Sequence, residues 1–177
     1  MPTRSVFLIT GPPGSGKTTL IRQVISMLRL NAGGFYTEEI RQDGKRQGFQ
    51  IVTLNGERGI LASVSYHSQY RVSKYGVNVD NLNNTGVAAL RRAVADKDVI
   101  VIDEIGKMEL YSDNFKQAVM EAIHSGKAVL GTIMLAPHPW ADKIKALRNV
   151  HVVHLTPGNR NEVQRQLTDW LKEFLKL

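Results

Sequence analysis

Apolar residues are distributed along this chain in two patterns. Short, nearly unbroken runs occur at Val6–Ile9, Val99–Ile102, Ala128–Ile133 and Val150–Leu155, and each reads as a strand. The run beginning Asp98-Val99-Ile100-Val101-Ile102 is apolar enough for a central parallel strand covered on both faces. Between the runs, apolar residues recur with helical spacing. Leu20, Ile21, Val24, Ile25, Met27 and Leu28 predict a helix from about Lys17 to Leu30, closed by the stop signal Asn31-Ala32-Gly33-Gly34. Further helices are predicted near 85–95, 113–125, 139–147 and 159–175; the last carries Val163, Leu167, Trp170, Leu171 and Phe174 on one face.

Residues 35 to 64 differ in character. Phe35–Ile40, Phe49–Leu54 and Ile60–Val64 are β-rich and are separated by the turn signals Asp43-Gly44 and Asn55-Gly56. They predict an antiparallel meander added to the sheet. Residues 65 to 80 are polar and read as a loop containing Tyr75-Gly76-Val77-Asn78-Val79, and a loop of that length is often functional. The expected architecture is a single α/β domain over residues 1–177: a three-layer, mostly parallel sheet carrying the meander.

Chemistry enters directly after the first strand. Gly11, Pro12, Pro13, Gly14, Ser15, Gly16, Lys17 and Thr18 fit GxxxxGK[ST], and Thr19 follows. Glycines there allow positive φ and close backbone approach to a phosphate. The N–H groups of such a loop form a nest for a polyanion, and the positive end of the following helix dipole lies beneath it. Lys17 can reach the terminal phosphates, and the Thr18 hydroxyl can ligate Mg²⁺. The buried run at Val99–Ile102 leads into Asp103-Glu104. A carboxylate at the tip of such a strand is placed to hold Mg²⁺ opposite the loop. Glu104, just beyond it, is placed to orient or deprotonate an attacking water. Ile102, Asp103, Glu104, Ile105, Gly106 and Lys107 are thus the expected second nucleotide-binding segment. Thr18 and Asp103 are the expected Mg²⁺ ligands, and Lys17 and Glu104 the expected catalytic pair.

Asp103-Glu104-Ile105-Gly106 also fits Asp-x-x-Gly, but no Asn-Lys-x-Asp or Thr-Lys-x-Asp string follows, which excludes a guanine-specific switch of the usual kind. Glu38 and Glu39 are adjacent on a predicted strand and should face opposite sides; one can approach the site while the other pairs with a base such as Arg41. Lys107 reads equally as a phosphate contact or a solvated lysine. Arg160 reads as a finger in cis or, with a slight preference, as a residue of the outer face of the last helix's first turn. The five histidines show no metal-binding spacing.

The chain of 177 residues has no cysteine, which excludes disulfides, thiol nucleophiles and thiolate metal sites. With 23 basic and 16 acidic residues the net charge is +7. The basic residues are scattered and not interleaved with aromatics, so a nucleic-acid partner is not favoured. No stretch has the length of a membrane span, and the first strand leaves no room for a signal peptide. A cytoplasmic monomer is expected.

Gly11–Thr19, Gly34-Phe35-Tyr36-Thr37-Glu38-Glu39 and Val101-Ile102-Asp103-Glu104-Ile105-Gly106-Lys107-Met108-Glu109-Leu110 together resemble the small P-loop nucleoside-triphosphatases of thermophiles. In animals the family is represented by cancer-related nucleoside-triphosphatase. The likeness extends to Tyr75–Val79, Gly131-Thr132-Ile133 and Asn159-Arg160. It implies a RecA-like sheet, Mg²⁺, and slow hydrolysis of several nucleoside triphosphates, ATP, GTP, CTP and UTP, to diphosphate and phosphate. Gly158 stands where that pattern often carries an acidic residue. Two other readings of the same motifs are a kinase acting on a nucleoside, nucleotide or polynucleotide hydroxyl, and a nucleotide-gated binding module.

Overall fold

The computed structural model describes residues 4–177. Among them one nine-stranded sheet runs in the order β5-β6-β4-β3-β2-β7-β8-β1-β9. Five strands form its parallel half: β2 (Ala32–Gln42), β7 (Val99–Ile105), β8 (Ala128–Ile133), β1 (Val6–Thr10) and β9 (Val150–His154). The antiparallel half is β3 (Lys45–Thr53), β4 (Arg58–Ser63), β6 (Tyr75–Val77) and the two-residue edge strand β5 (Arg71–Val72). This is the α/β architecture expected from the sequence.

The unbroken apolar runs are explained by a helical layer on each face. Along β1 and β7, alternate side chains point to opposite sides. Phe7, Ile9, Val99 and Val101 pack under α1 (Lys17–Leu28) and α6 (Arg160–Leu175), against Leu20, Ile21, Val24, Val163 and Leu167. Val6, Leu8, Ile100 and Ile102 pack on the other side against α3 (Ala88–Asp96), α4 (Asp113–His124) and α5 (Pro139–Lys145), through Leu90, Phe115, Val119 and Ile144. The parallel register sets Phe35 beside Ile102, Ile102 beside Gly131 and Gly131 beside Leu8. Asp103, Thr132 and the loop after β1 therefore emerge at the same end of the sheet.

Three local differences from the sequence expectation have physical causes. Helix α1 stops at Leu28 because Arg29 turns into the left-handed region at φ 51°. Strand β2 then begins at Ala32, so Ala32–Gly34 are strand residues, hydrogen-bonded in register with Val99–Val101. Residues 65–80 are not a plain loop, because Tyr75 and Val77 are buried on β6, which pairs with β4. The helix expected at 85–95 starts earlier, as α2 (Val79–Asn81), whose Asn78 side chain caps the N–H of Asn81 at 2.9 Å. It reaches α3 through a π-helical turn, Leu82–Val87. In that turn Asn83 accepts a 2.5 Å hydrogen bond from Ser112, the residue that also caps α4.

Phe35 is fully buried where β2, the π-helical turn and α4 meet, edge-on to Phe115 with ring centroids 6.3 Å apart. Phe35→Ala is expected to lower the unfolding free energy by about 3–5 kcal/mol in urea denaturation, the usual cost of emptying a phenylalanine site in a closed core. A loss under about 1 kcal/mol would show that this junction collapses to fill the space.

Candidate functional site

The loop after β1 takes its shape from its glycines. Gly14 (φ 76°) and Gly16 (φ 86°) are left-handed, and Gly16 is the N-cap of α1. No acidic side chain lies in the first turn of α1, so the positive end of its dipole is not neutralised locally. The Lys17 ammonium bridges the loop, donating to the carbonyls of Gly11 (2.8 Å) and Pro12 (3.0 Å). Pro12, Pro13, Gly14 and Thr19 are exposed around it. The Ser15 hydroxyl is buried in the loop without a hydrogen-bond partner, and a buried orphan donor of this kind fits an anionic ligand.

Asp103 is 4% exposed at the end of β7, and its two oxygens are divided between two hydroxyls. Thr18 of α1 donates to Oδ2 at 2.5 Å, and Thr132 of β8 donates to Oδ1 at 2.6 Å. From the other neighbouring strand, Thr37 donates to the Asp103 backbone carbonyl at 2.7 Å. Burial raises the Asp103 pKa, while the Thr132 and Thr18 hydroxyls and the nearby Lys17 charge oppose that rise. One carboxylate and one hydroxyl, both hard oxygen donors at the lip of the loop, make a pair suited to Mg²⁺.

Glu104 follows Asp103 through a cis peptide bond. Burial and the charge of Asp103 push its pKa up, and Lys17 opposes them. Its carboxylate lies against Gly106, where a Cβ would stand 2.6 Å from Oε1; a side chain there would displace the Glu104 carboxylate from this position. Ile105 is buried in the core and Lys107 is exposed. Glu109 lies just beyond and is 3% exposed; the backbone of Gly106 and of Glu109 itself favours its charged form. Burial, then the charge of Glu104, raises its pKa well above the ordinary carboxylate value.

Glu38 and Glu39 separate as strand geometry requires. Glu38 accepts from Arg22 of α1 at 2.7 Å, and Arg22 lies over the Tyr36 ring at 4.3 Å. Glu39 pairs on the far side with Arg41 and Arg46. The hydrogen bond from Arg22 lowers the Glu38 pKa, and burial raises that of the Tyr36 hydroxyl to about 12. Arg160 departs from the outer-face preference: its guanidinium turns inward to the Gly16 carbonyl and the Gln23 side chain, each at 3.2 Å.

The fold thus brings Lys17, Thr18, Asp103 and Glu104 to one end of the sheet. Thr132, Thr37 and Glu109, which the sequence strings contain without a role of their own, and Arg22, which lies outside those strings, belong to the same surroundings. The visible signal for Thr132 was a hydroxyl near the end of the apolar run Ala128–Ile133, on a strand next to the one bearing Asp103.

A glycine loop between a parallel strand and a helix, faced by an Asp-Glu pair ending a second strand, defines a P-loop nucleoside-triphosphate hydrolase. The family model described as NTPase matches residues 6–168, and the chain belongs to that family. It is 51% identical over 165 residues to nucleoside-triphosphatase THEP1 of Thermotoga sp. strain RQ2, covering 93% of this chain and 94% of the relative. It is 42% identical over 177 residues to the mouse cancer-related nucleoside-triphosphatase homolog, covering 91% and 93%. The crystal structure of THEP1 from Aquifex aeolicus superposes with a TM-score of 0.84 at 37% identity, over 94% of this chain and 99% of that one.

Because Glu109 is protonated more readily in the folded than in the unfolded chain, the unfolded chain releases this proton first as pH rises. Its contribution to stability therefore falls as pH climbs above 4.5 toward the raised folded value. Glu109→Gln removes that titration. The melting temperature of the variant, relative to the native protein, is expected to increase steadily from pH 4.5 upward; a difference independent of pH would show that Glu109 does not titrate in this window.

Proposed function

We propose that this chain is a Mg²⁺-dependent nucleoside-triphosphatase that converts ATP, GTP, CTP and UTP to the diphosphate and phosphate with slow turnover, acting as a monomer in the cytoplasm. The observation that carries this reading is the division of the buried Asp103 carboxylate between Thr18 and Thr132, with Glu104 alongside. It gives the glycine loop a partner of the kind that phosphoryl transfer requires.

In this reading the backbone N–H groups of residues 11–18 and the Lys17 ammonium hold the β- and γ-phosphates. Lys17 offsets the charge that grows on the transferred group. Thr18 and Asp103 would hold Mg²⁺, which would supply neutralisation of the phosphate charge. Glu104 orients a water in line with the γ-phosphorus and accepts its proton as the new P–O bond forms and the bond to the bridging oxygen breaks. The diphosphate leaves with the bridging oxygen. The raised Glu104 pKa makes it a stronger base than a solvated carboxylate.

The four triphosphates should each release phosphate when Mg²⁺ is present. Glu104→Gln is expected to lower kcat by at least about 100-fold, within the range for losing a general base, while nucleotide affinity changes less than about threefold. Equal turnover in native and variant protein would reject Glu104 as the base. Lys17→Ala is expected to weaken binding and turnover together, checked by titration calorimetry beside the phosphate assay. Tight binding without release, together with transfer of label to an added hydroxyl compound, would replace hydrolysis by a kinase reaction.

A further inference from the structure

Arg160 is the first residue of α6, and its half-buried guanidinium lies against the phosphate loop. It donates to the Gly16 carbonyl at 3.2 Å and to Gln23 Oε1 at 3.2 Å. A Cβ on Gly16 would stand 2.7 Å from its Nη1. Both acceptors are neutral, and no carboxylate pairs with Arg160 among the described residues. The group is thus held in place by two bonds while its charge is left unbalanced, an arrangement suited to meeting a ligand rather than to closing a surface ion pair.

Its position decides which part of a ligand it meets. In the sheet order β7-β8-β1-β9 the loop rises from β1. Thr18 faces Asp103, two strands away on β7, and Glu104 adjoins it, which marks that flank as the γ-phosphate end. Arg160 lies on the opposite flank, at the start of the helix that follows β9, and α6 packs against α1 there. A triphosphate with its β- and γ-phosphates in the loop and its γ end toward Glu104 extends its nucleoside toward β9.

We infer that Arg160 is the nucleoside-binding residue of this site, its guanidinium serving as a platform on which the base stacks. Guanidinium planes stack on aromatic faces, and every base offers such a face, so the contact does not distinguish among bases. The adjoining loop supplies no free side-chain amide to read a base edge. Asn159, its one side-chain amide, is engaged at both ends in folding the loop: Oδ1 accepts the Thr156 N–H at 2.7 Å, and Nδ2 donates to the His154 carbonyl at 2.8 Å. Broad base tolerance then follows from a site whose principal contact is a charged plane. The inference rests on the triphosphate reading of the glycine loop.

The test is calorimetric titration, with Mg²⁺, of native protein and Arg160→Ala with ATP, GTP, CTP, UTP and inorganic tripolyphosphate. Tripolyphosphate occupies the loop but has no nucleoside. The four nucleotides should all weaken by about tenfold or more, and tripolyphosphate by less than about twofold. Equal weakening of tripolyphosphate would overturn the assignment and make Arg160 a phosphate ligand; unchanged nucleotide affinity would make it a spectator. If the alanine variant melts before titration, Arg160→Gln, which keeps a donor for Gly16 but loses the charged plane, is expected to give the same contrast. Native protein that binds nucleotides but releases no phosphate would count against hydrolysis and leave this comparison decisive.

Discussion

A carboxylate buried at the end of a parallel strand is costly unless each oxygen is hydrogen-bonded. Asp103 meets that condition by drawing one hydroxyl from α1 and one from β8, with a third, from β2, on its own backbone carbonyl. Four elements that are distant in sequence are thereby fixed to one point. The loop before α1 is aimed by the same contact, because Thr18 lies one residue beyond Lys17 and two beyond the glycine that caps the helix. If this carboxylate lost its donors, burial would favour its neutral form, and the pairing of loop and strand would lose its electrostatic basis.

Around that point the charged residues fall into two sets. Lys17 and Arg160 rest on carbonyls of the loop region. Arg22 is partnered by Glu38 and by the face of Tyr36. The acids lie in the opposite direction, Asp103, Glu104 and Glu109 in succession, each raised in pKa first of all by burial. A polyanion placed between the two sets is attracted by one, while the other supplies oxygens for a cation and a base for water.

Much of this was legible in the sequence because the relevant signals are local. The glycine loop, the apolar runs of β1, β7 and β8, and Asp103-Glu104 at a strand end are each contained in fewer than ten neighbouring residues. Signals that depend on pairing were not legible. Ala32–Gly34 looked like a helix stop because glycines punctuate loops, yet here they let β2 lie close beside β7. The polar stretch 65–80 concealed β6 because its buried residues are few, Tyr75 to Val77, and the strand they pair with is β4. Thr132, Thr37 and Glu109 acquire meaning only once β7 has neighbours. Arg160 is separated from Gly16 by 144 positions, a distance that no pattern within one segment can bridge.

Strand β2 is shared between the two halves of the sheet. Its first residues, Ala32–Phe35, pair with β7, and the same continuous strand from Phe35 onward pairs with β3. The meander is therefore not an appendage hung on a finished core. Its outer strands can drift in length and composition during divergence, but its inner strand cannot be deleted without exposing the flank of β7 and removing the threonine that steadies Asp103. Loss or replacement of this region over evolutionary time should accordingly trim from the β5 edge inward and stop at β2. A shortened descendant would keep the phosphate loop, the acidic pair and one long strand ending in solvent where the meander used to be.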